Sequence, residues 1–242
     1  MRASARCLAA ISTETTDILP HLGFSRRALL IGAGTLLLTT QFGTAPRIAW
    51  AKQAKPAVLT DADKADVARI EQYLNGITTM QAKFQQYSAN QGIVFGEIYV
   101  RRPGFLRVQY DPPSQVILVA DSIAISYYDA ELNQLNQAPL SSSPLWFLLR
   151  DHVELGGDVT VTSFERGPNA FRIGLVQTDN PDAGTVTLIL GDHPLELQQW
   201  TIVDQKGQEV RVGLFNAEFG MKLDNELFRT PEKSSHKPRS SG

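Results

Sequence analysis

Two hydrophobic periodicities follow one another along this chain. In the first, apolar side chains recur every three or four positions, at Val67, Ile70, Leu74 and Ile77. This is the spacing of one face of an α-helix. Thr60 is suited to cap such a helix, because its hydroxyl can accept a hydrogen bond from a free amide of the first turn. Asn75-Gly76 supplies a stop signal. The pattern predicts one amphipathic helix.

From Met80 onward, apolar positions alternate with polar ones, which is the periodicity of β-strands with one buried face. Turn-forming residues separate the alternating stretches, and consecutive strands joined by tight turns pair antiparallel. The pattern predicts about ten or eleven strands. The stretches that show it are 80–85, 94–100, 106–110, 116–120, 123–128, 159–164, 171–176, 186–190, 195–203 and 210–215.

A short apolar segment interrupts the strands and is predicted to form a second helix, made of Leu145, Trp146, Phe147, Leu148 and Leu149. Ser143 can cap this helix, and Pro144 suits its first position. Consecutive hairpins favour one curved antiparallel sheet, whose concave side must be covered. We therefore expect a mainly β fold, an unclosed half β-barrel covered by a helical lid. The alternative for residues 145–149 is a plain core helix packed on the sheet.

The N-terminal region has the features of a bacterial export signal. The twin arginine Arg26-Arg27 precedes an uncharged apolar stretch, and Ala49-Trp50-Ala51 is a small-x-small cleavage pattern. These features predict a cleaved signal peptide of the twin-arginine type. The apolar stretch is too short to cross about 30 Å of hydrocarbon, which disfavours a retained signal-anchor helix. We expect a signal peptide at 1–51, a linker at 52–59, the half-barrel domain at 60–232 and a disordered tail at 233–242.

Charge and cysteine content narrow the class further. Removal of residues 1–51 leaves 18 basic and 23 acidic side chains, a net charge near −5. We therefore expect a soluble protein with no basic surface for nucleic acid. The one cysteine, Cys7, lies in the predicted signal peptide, so neither a disulfide nor a thiolate metal site is expected. Lys52 stands where a lipoprotein would have its acylated cysteine, which predicts a protein without a lipid tether.

Motifs for catalysis are missing from the sequence. It contains no Gly-x-Ser-x-Gly, no His-Glu-x-x-His and no glycine-rich phosphate loop. The histidines of the mature chain fall in turns or tails, and its carboxylates are scattered; examples are His152, His193, His236, Glu97, Asp129 and Glu218. We expect no enzymatic activity, no metal and no cofactor. A periplasmic hydrolase on a β-scaffold stays as the alternative from another class.

Arg102 is the main polar candidate for a functional residue. It follows an apolar strand and precedes Pro103, so we expect it at a strand end near the rim of the half-barrel. Its five N–H donors suit the carbonyls of a covering helix or a carboxylate. The alternative is a solvated turn arginine. Arg101, one residue earlier, should point to the opposite face of the sheet.

In several segments the sequence resembles the LolA-type carriers of lipoproteins in Gram-negative periplasm. The resemblance covers roughly residues 67–231, and an arginine-proline strand end followed later by a proline-initiated helix is its most specific part. The matching segments are Met80-Gln81-Ala82-Lys83-Phe84-Gln85-Gln86, Gly96-Glu97-Ile98-Tyr99-Val100-Arg101-Arg102-Pro103-Gly104, Tyr110-Asp111-Pro112-Pro113, Ile117-Leu118-Val119-Ala120-Asp121, Tyr128-Asp129 and Ser143-Pro144-Leu145-Trp146-Phe147-Leu148-Leu149.

The resemblance implies a soluble periplasmic carrier that binds lipoprotein acyl chains in a hydrophobic cavity. Such a carrier accepts acylated lipoproteins from an inner-membrane ABC-type complex and passes them to an outer-membrane acceptor; we expect it to be a monomer. It also implies that Arg102 latches the lid by hydrogen bonds to backbone carbonyls of the covering helices. If the strand alternation is in register, the cavity is lined by Phe84, Ile98, Val100, Leu106, Val108 and Leu118.

The sequence departs from the family pattern in four places. The twin-arginine signal is unusual for the family, Asp121-Ser122 replaces an Asp-Gly turn, and Phe105-Leu106 stands for an aromatic pair. We also expect the extra C-terminal strand of some members to be missing, which leaves open how cargo is kept from returning to the membrane. A carrier of another lipid, or a lipoprotein-sensing regulator with the same fold, remains the alternative among binding proteins.

Overall fold

The computed structural model describes residues 54–231. The predicted signal peptide, Lys52 and Gln53 of the linker, Glu232 and the predicted tail lie outside the described residues. One α-helix, α1 (Asp61–Gly76), precedes all of the strands. The strands are β1 (Thr79–Ser88), β2 (Gly92–Arg101), β3 (Phe105–Tyr110), β4 (Val116–Asp121), β5 (Ala124–Asp129), β6 (Gln134–Pro139), β7 (Val159–Gly167), β8 (Ala170–Gln177), β9 (Gly184–Asp192), β10 (Leu195–Asp204) and β11 (Glu209–Phe219).

Helix α1 begins and ends where the sequence indicates. Thr60 Oγ1 accepts a hydrogen bond from Asp63 N (3.2 Å), and Asp63 Oδ2 accepts one from Thr60 N (3.0 Å). Together they form a capping box, which satisfies two amides that the helix itself leaves free. The helix ends at Gly76, and it buries the apolar face made of Val67, Ile70 and Leu74. We call the face of the sheet against which α1 packs the inner face.

All eleven strands form one sheet in the order β6-β5-β4-β3-β2-β1-β11-β10-β9-β8-β7, and every neighbouring pair is antiparallel. The two edge strands, β6 and β7, do not pair with each other, so the sheet is unclosed. The prediction of a mainly β fold built on an unclosed antiparallel sheet is confirmed. Consecutive strands are neighbours in the sheet except β6 and β7. The connection between these two strands carries the predicted lid.

Strand β6 is the one strand that the hydrophobic pattern did not predict. Its sequence is Gln-Leu-Asn-Gln-Ala-Pro, and only Ala138 is buried. An edge strand has one side without a neighbouring strand, so its side chains do not need an apolar alternation. Its pairing with β5 is regular from Ala124↔Pro139 to Asp129↔Gln134. Backbone pairing, rather than side-chain burial, defines this strand.

The second predicted helix differs from expectation. Its residues form a short 3-10 helix, Trp146–Leu149, with Leu145 as a cap residue whose side chain makes no capping hydrogen bond. Ser143 Oγ accepts only a long hydrogen bond from Leu145 N (3.4 Å), and Pro144 precedes the helix instead of starting it. Five residues are too few to offset the cost of nucleating an α-helix. A further 3-10 turn, Leu140–Ser142, precedes it. We call residues 140–155 the lid segment.

After β11, no strand follows in the described residues up to 231. The chain instead forms a 3-10 helix, Asn225–Phe228, against the outer face of β3 and β4. The Arg101 guanidinium lies over the rings of Phe105 (4.5 Å) and Phe228 (4.6 Å), and its Nη1 donates to Asn225 Oδ1 at 2.6 Å. Arg101 therefore points outward, away from α1, and fixes residues 220–231, which we call the C-terminal strap.

Candidate functional site

A cavity lies on the inner face, between the sheet, the C-terminal end of α1 and the lid segment. Its volume is about 90 Å³. Of the lining residues, only Arg102 and Ser143 contribute ionic or hydroxyl groups, and Trp200 contributes an indole. The apolar lining residues are Leu74, Ile77, Met80, Phe84, Ile98, Val100, Leu106, Val108, Leu118, Ile125, Leu140, Leu145, Leu148, Leu149, Val153, Leu197, Ile202 and Val212. Such a lining suits hydrocarbon and offers little to a polar ligand.

The structure places all six side chains of the predicted cavity set in this lining. They belong to β1, β2, β3 and β4, and the two residues from β2 and the two from β3 are each two positions apart because successive side chains point to opposite faces. The ladder brings them together: Ile98 pairs with Val108, and Val108 pairs with Leu118. Phe84 is fully buried, and its ring meets the Tyr110 ring edge-on at 5.4 Å. That these residues bind acyl chains stays a prediction.

The predicted lid residues separate into two groups. Leu145, Leu148 and Leu149 line the cavity. Phe147 is buried in the core to 2 % exposure and does not line the cavity, while the Trp146 ring lies 5.2 Å from the Arg150 guanidinium carbon. One face of the short 3-10 helix therefore covers the cavity, and another packs into the core.

The side chain of Arg102 connects the sheet to both covering elements. Its Nε donates to Arg150 O (2.7 Å), and Nη2 donates to Asp151 O (3.1 Å) and Asn75 Oδ1 (3.4 Å). Its Nη1 donates to Ile77 O (3.0 Å) and to Leu74 O. Each of the five N–H groups of the guanidinium thus has an acceptor. Four of these acceptors are backbone carbonyls, from the last turn and C-cap of α1 and from the lid segment.

The charge of Arg102 complements the end of α1. The last turn of α1 contains no basic residue, and the partial negative charge of a helix C-terminus favours a cation nearby. Burial lowers the pKa of Arg102, and the nearby Asp151 carboxylate opposes that effect. An arginine keeps its proton in proteins, so the guanidinium stays charged. A half-buried cation is therefore stabilised by carbonyl dipoles and held at the junction of helix and lid segment.

Asn75 contributes to this site in a way that the sequence pattern does not predict. Asn75 Nδ2 donates to Val153 O (2.9 Å), and Asn75 Oδ1 accepts from Val153 N (2.8 Å), in the manner of a backbone pair. Glu71 Oε2 accepts from Leu155 N at 2.7 Å. The sequence pattern predicts only that Asn75 helps to end the helix. These contacts join α1 to the end of the lid segment, so the two covering elements form one unit.

Gly104 is a second residue whose role depends on long-range contacts. Its N–H donates to Leu149 O (2.7 Å), which ties the turn after Arg102 to the lid segment. Its φ is +84°, and a Cβ at this position would lie 2.1 Å from Ser122 Oγ and 2.6 Å from Ser122 Cα. Glycine adopts this backbone without strain, and at this position a side chain would collide with the Ser122 backbone. The Arg-Pro-Gly sequence therefore supplies two attachments for the lid segment.

Ion pairs hold the other half of α1. Arg69 donates to Asp66 (2.8 Å) and to Asp192 (3.0 Å) at the β9–β10 turn. Arg166, at the end of β7, pairs with Asp66 and lies 3.3 Å from Asp63. Burial alone raises the pKa of Asp66, but hydrogen bonds from Arg166 and Arg69 outweigh it, and the pKa lies below its ordinary 3.8. These pairs fix α1 over the β7–β10 side of the sheet.

The lowered pKa of Asp66 predicts an acid-sensitive attachment. A carboxylate with a lowered pKa stabilises the folded state above its unfolded pKa, and that stabilisation is lost as the pH falls through the folded value. We expect Asp66→Asn to lower the free energy of unfolding by on the order of 1 kcal/mol at neutral pH. The variant should also lose stability less steeply than the wild type below about pH 4.

Urea denaturation at a series of pH values measures both effects. Asp61→Asn is the matched control, because the Asp61 carboxylate is exposed and pairs only with Lys64 on the same helix. An equal pH dependence for the wild type and Asp66→Asn would contradict the proposed attachment.

The described part of the site has few groups that could bind a metal or take part in acid–base chemistry. Within residues 54–231, no three His, Cys, Asp or Glu side chains lie close enough to hold a metal ion. The His193 side chain is exposed and lies 3.2 Å from Asp192. Among the cavity-lining residues of the described chain, none is a histidine or a carboxylate. In the same part of the chain, no helix has both the length and the hydropathy needed to span a membrane.

The fold and the site define a class of protein: an unclosed antiparallel β-sheet whose inner face encloses an apolar cavity under a helix and a lid segment. The comparisons with known proteins then give the family. A model described as outer membrane lipoprotein carrier protein LolA matches residues 75–231. The chain belongs to the LolA family.

The known proteins to which this chain is similar are distant from it in sequence. An outer-membrane lipoprotein carrier protein from Azotobacter vinelandii is 25% identical over 182 residues, which cover 71% of this chain and 87% of the relative. An uncharacterized protein from Rickettsia prowazekii is 25% identical over 121 residues, covering 50% of this chain and 57% of that protein. A LolA superfamily structure from Nitrosomonas europaea has a TM-score of 0.41 at 9% identity and covers 67% of this chain and 97% of that chain.

Proposed function

We propose that this protein is a carrier that binds the acyl chains of lipoproteins and moves them from the inner to the outer membrane. The proposal is based on the apolar cavity and its cover. Arg102 attaches this cover to the sheet. Membership of the LolA family supports it, as does the name of the Azotobacter vinelandii relative.

The energetics explain why such cargo needs a container. Burial of one methylene gains about 0.8 kcal/mol, so an acyl chain of roughly fifteen methylenes is about 12 kcal/mol less stable in water than in an apolar environment. A lipoprotein that carries several acyl chains therefore does not leave a membrane unaided. A carrier must provide apolar surface for most of the chain and must still release it.

The closed cavity is too small for this cargo. An apolar cavity of about 150 Å³ holds a single benzene ring, whereas the cavity here measures about 90 Å³. An acyl chain therefore enters only if α1 and the lid segment move away from the sheet. The leucines that cover the cavity, Leu145, Leu148 and Leu149, then become available to contact the chain. The described structure corresponds to the empty, closed form in this scheme.

The bonds of Arg102 set the cost of opening. A hydrogen bond to a charged group contributes about 1.5–3 kcal/mol, and less where water replaces it on opening. Five such bonds keep the cover closed without cargo, and they are weak enough for the burial of an acyl chain to offset their loss. Arg102 therefore acts as a latch that cargo displaces.

Location and partners follow from the same proposal. The predicted signal peptide places the mature protein in the periplasm. There it would receive acylated lipoproteins from an inner-membrane ABC-type complex and deliver them to an outer-membrane acceptor. We propose that it does so as a monomer and without catalysis.

A binding experiment with a defined lipoprotein tests the function. The purified protein is mixed with detergent-solubilised triacylated lipoprotein, the detergent is removed, and the mixture is separated by size exclusion. We expect a 1:1 complex with the acylated lipoprotein and none with the same lipoprotein made without its acylated cysteine. Equal binding of both forms, or binding of neither, would overturn the proposal. Binding of free phospholipid in preference to the lipoprotein would identify a carrier of another lipid.

A further inference from the structure

Three side chains that are buried on the inner face each have one polar atom without a hydrogen-bond partner among the described residues. Gln86 is fully buried, Ser88 is 1 % exposed and Trp200 is 4 % exposed. Gln86 Nε2, Ser88 Oγ and Trp200 Nε1 have no hydrogen-bond partner within residues 54–231. Buried polar groups in folded proteins are almost always paired, so three unpaired groups in one region require a physical reason.

The sheet brings these three groups to one region beside the cavity. Gln86 and Ser88 follow Phe84 at intervals of two along β1, so they point to the same inner face as Phe84. Gln86 pairs with Val212, and Val212 pairs with Trp200. Trp200 therefore lies two strands from Gln86, about 10 Å between Cα atoms. Phe84, Val212 and Trp200 all line the cavity.

The unpaired groups share one chemical property, because each can donate a hydrogen bond. The indole of Trp200 is a donor only, and the amide nitrogen of Gln86 carries two hydrogens. The Tyr110 hydroxyl donates to Gln86 Oε1 (2.9 Å), which occupies the carbonyl oxygen of that side chain and leaves its amide nitrogen free. The complementary ligand atom is an acceptor oxygen.

The charge distribution favours a neutral oxygen. Arg102 is the one charged residue among the described residues that line the cavity. It lies beyond the end of β2, next to Arg101, which pairs with Thr79. Gln86 lies seven residues along β1 from Thr79, about 23 Å away. A carboxylate beside Gln86 would be buried without a cation, which is costly, whereas an ester or amide carbonyl carries no such penalty.

We propose that Gln86, Ser88 and Trp200 form a donor site for the carbonyl oxygen of an ester- or amide-linked acyl chain. This inference rests on the proposed function and adds an orientation to it. The carbonyl lies at the Gln86 end of the sheet, and the hydrocarbon runs along the inner face toward Arg102. The acyl carbonyls of a lipoprotein, or of a glycerolipid, provide this chemistry.

Ligands that differ only in the oxygen test the site. Binding of methyl dodecanoate, dodecanoate and tridecane to the full mature chain is measured by displacement of a fluorescent apolar probe. We expect the ester to bind about tenfold more tightly than the alkane, and the carboxylate to bind more weakly than the ester. Gln86→Leu and Trp200→Phe should each lower the ratio of ester affinity to alkane affinity to nearly one.

The outcomes separate this site from the proposed function. Equal affinities of the wild type for ester and alkane would overturn the donor site and leave the apolar carrier intact. Tightest binding of the carboxylate would overturn the assignment of a neutral carbonyl. Failure of every ligand to bind would overturn both proposals.

The chemical shift of the Trp200 indole proton reports on its hydrogen bonding. If Trp200 had a purely structural role, this shift would not depend on the ligand oxygen. In ¹H–¹⁵N spectra, we expect the Trp200 indole resonance to shift downfield on addition of the ester, because its N–H gains an acceptor, and to stay nearly in place with the alkane. The Trp146 indole lies in the lid segment and should respond equally to ester and alkane, so it is the internal control for lid movement. A shift of the Trp200 resonance that is identical with ester and alkane would contradict the proposal.

Discussion

Replacement of Arg102 by leucine is expected to leave the sheet folded and to release its cover. The substitution removes all five hydrogen bonds that join the sheet to α1 and the lid segment through this side chain. Bonds from a charged donor contribute about 1.5–3 kcal/mol each, and they do not add fully. We expect the closed form to lose at least about 3 kcal/mol relative to the open form, which is roughly a hundredfold in population.

Hydrogen exchange locates the effect of Arg102→Leu. Amides of the lid segment and of the last turn of α1 should exchange about a hundredfold faster, while amides of β1, β2 and β11 should keep their protection. In a transfer assay, the variant should load lipoprotein and deliver it poorly, because closure no longer helps to expel the chain. Unchanged exchange of the lid segment, or unchanged transfer, would count against the latch.

Arg101→Leu is the matched control for this variant. Arg101 is the preceding residue and has the same chemistry, but it lies on the outer face and binds Asn225 and the Leu223 carbonyl of the C-terminal strap. Its substitution should increase exchange in the strap and leave the lid segment protected. If both variants loosened the lid segment equally, the effect would arise from general destabilisation.

Filling the cavity is expected to weaken acyl binding without opening the lid. Leu106 lines the cavity from β3 and is only half-buried, so a tryptophan can occupy the space beside it. Displacement of two or three methylenes of the acyl chain costs about 2 kcal/mol. We therefore expect Leu106→Trp to weaken the binding of a fluorescent fatty-acyl probe roughly thirtyfold.

The control for Leu106→Trp lies on the same strand. Gln109 is exposed on the outer face of β3, so Gln109→Trp adds the same ring without reaching the cavity. Its affinity for the probe should match that of the wild type. Wild-type affinity in Leu106→Trp would show that the acyl chain binds elsewhere on the protein.

Elements with a strong periodic pattern could be predicted from the sequence. The cap at Thr60, the end of α1 at Gly76 and the alternation of Ile98, Val100 and their partners each follow from local chemistry. Burial imposes a period of two on a strand with one covered face, so the alternating apolar set of β1 to β4 could be predicted from the residues, whereas the assignment of that set to the cavity was an assumption.

Features that depend on distant contacts could not be predicted in this way. Strand β6 has no apolar alternation, because only backbone pairing with β5 defines it. Asn75 and Gly104 have ordinary local roles, a helix end and a turn, and their contacts with Val153 and Leu149 appear only in the folded chain. The unpaired donors Gln86, Ser88 and Trp200 look like ordinary strand residues until the register brings them together.

The proposed function requires that the inner face of the sheet takes up hydrocarbon once the cover opens. Nuclear Overhauser effects test this uptake most directly. A ¹³C-labelled acyl chain, carried by a lipoprotein or a soluble acyl ester, is added to protein with labelled Ile, Leu and Val methyl groups. The account predicts contacts from chain methylenes to the methyls of Ile98, Val108 and Leu118, and none to the outward-facing Ile93. Contacts to Ile93 with none to the three inner residues would contradict it.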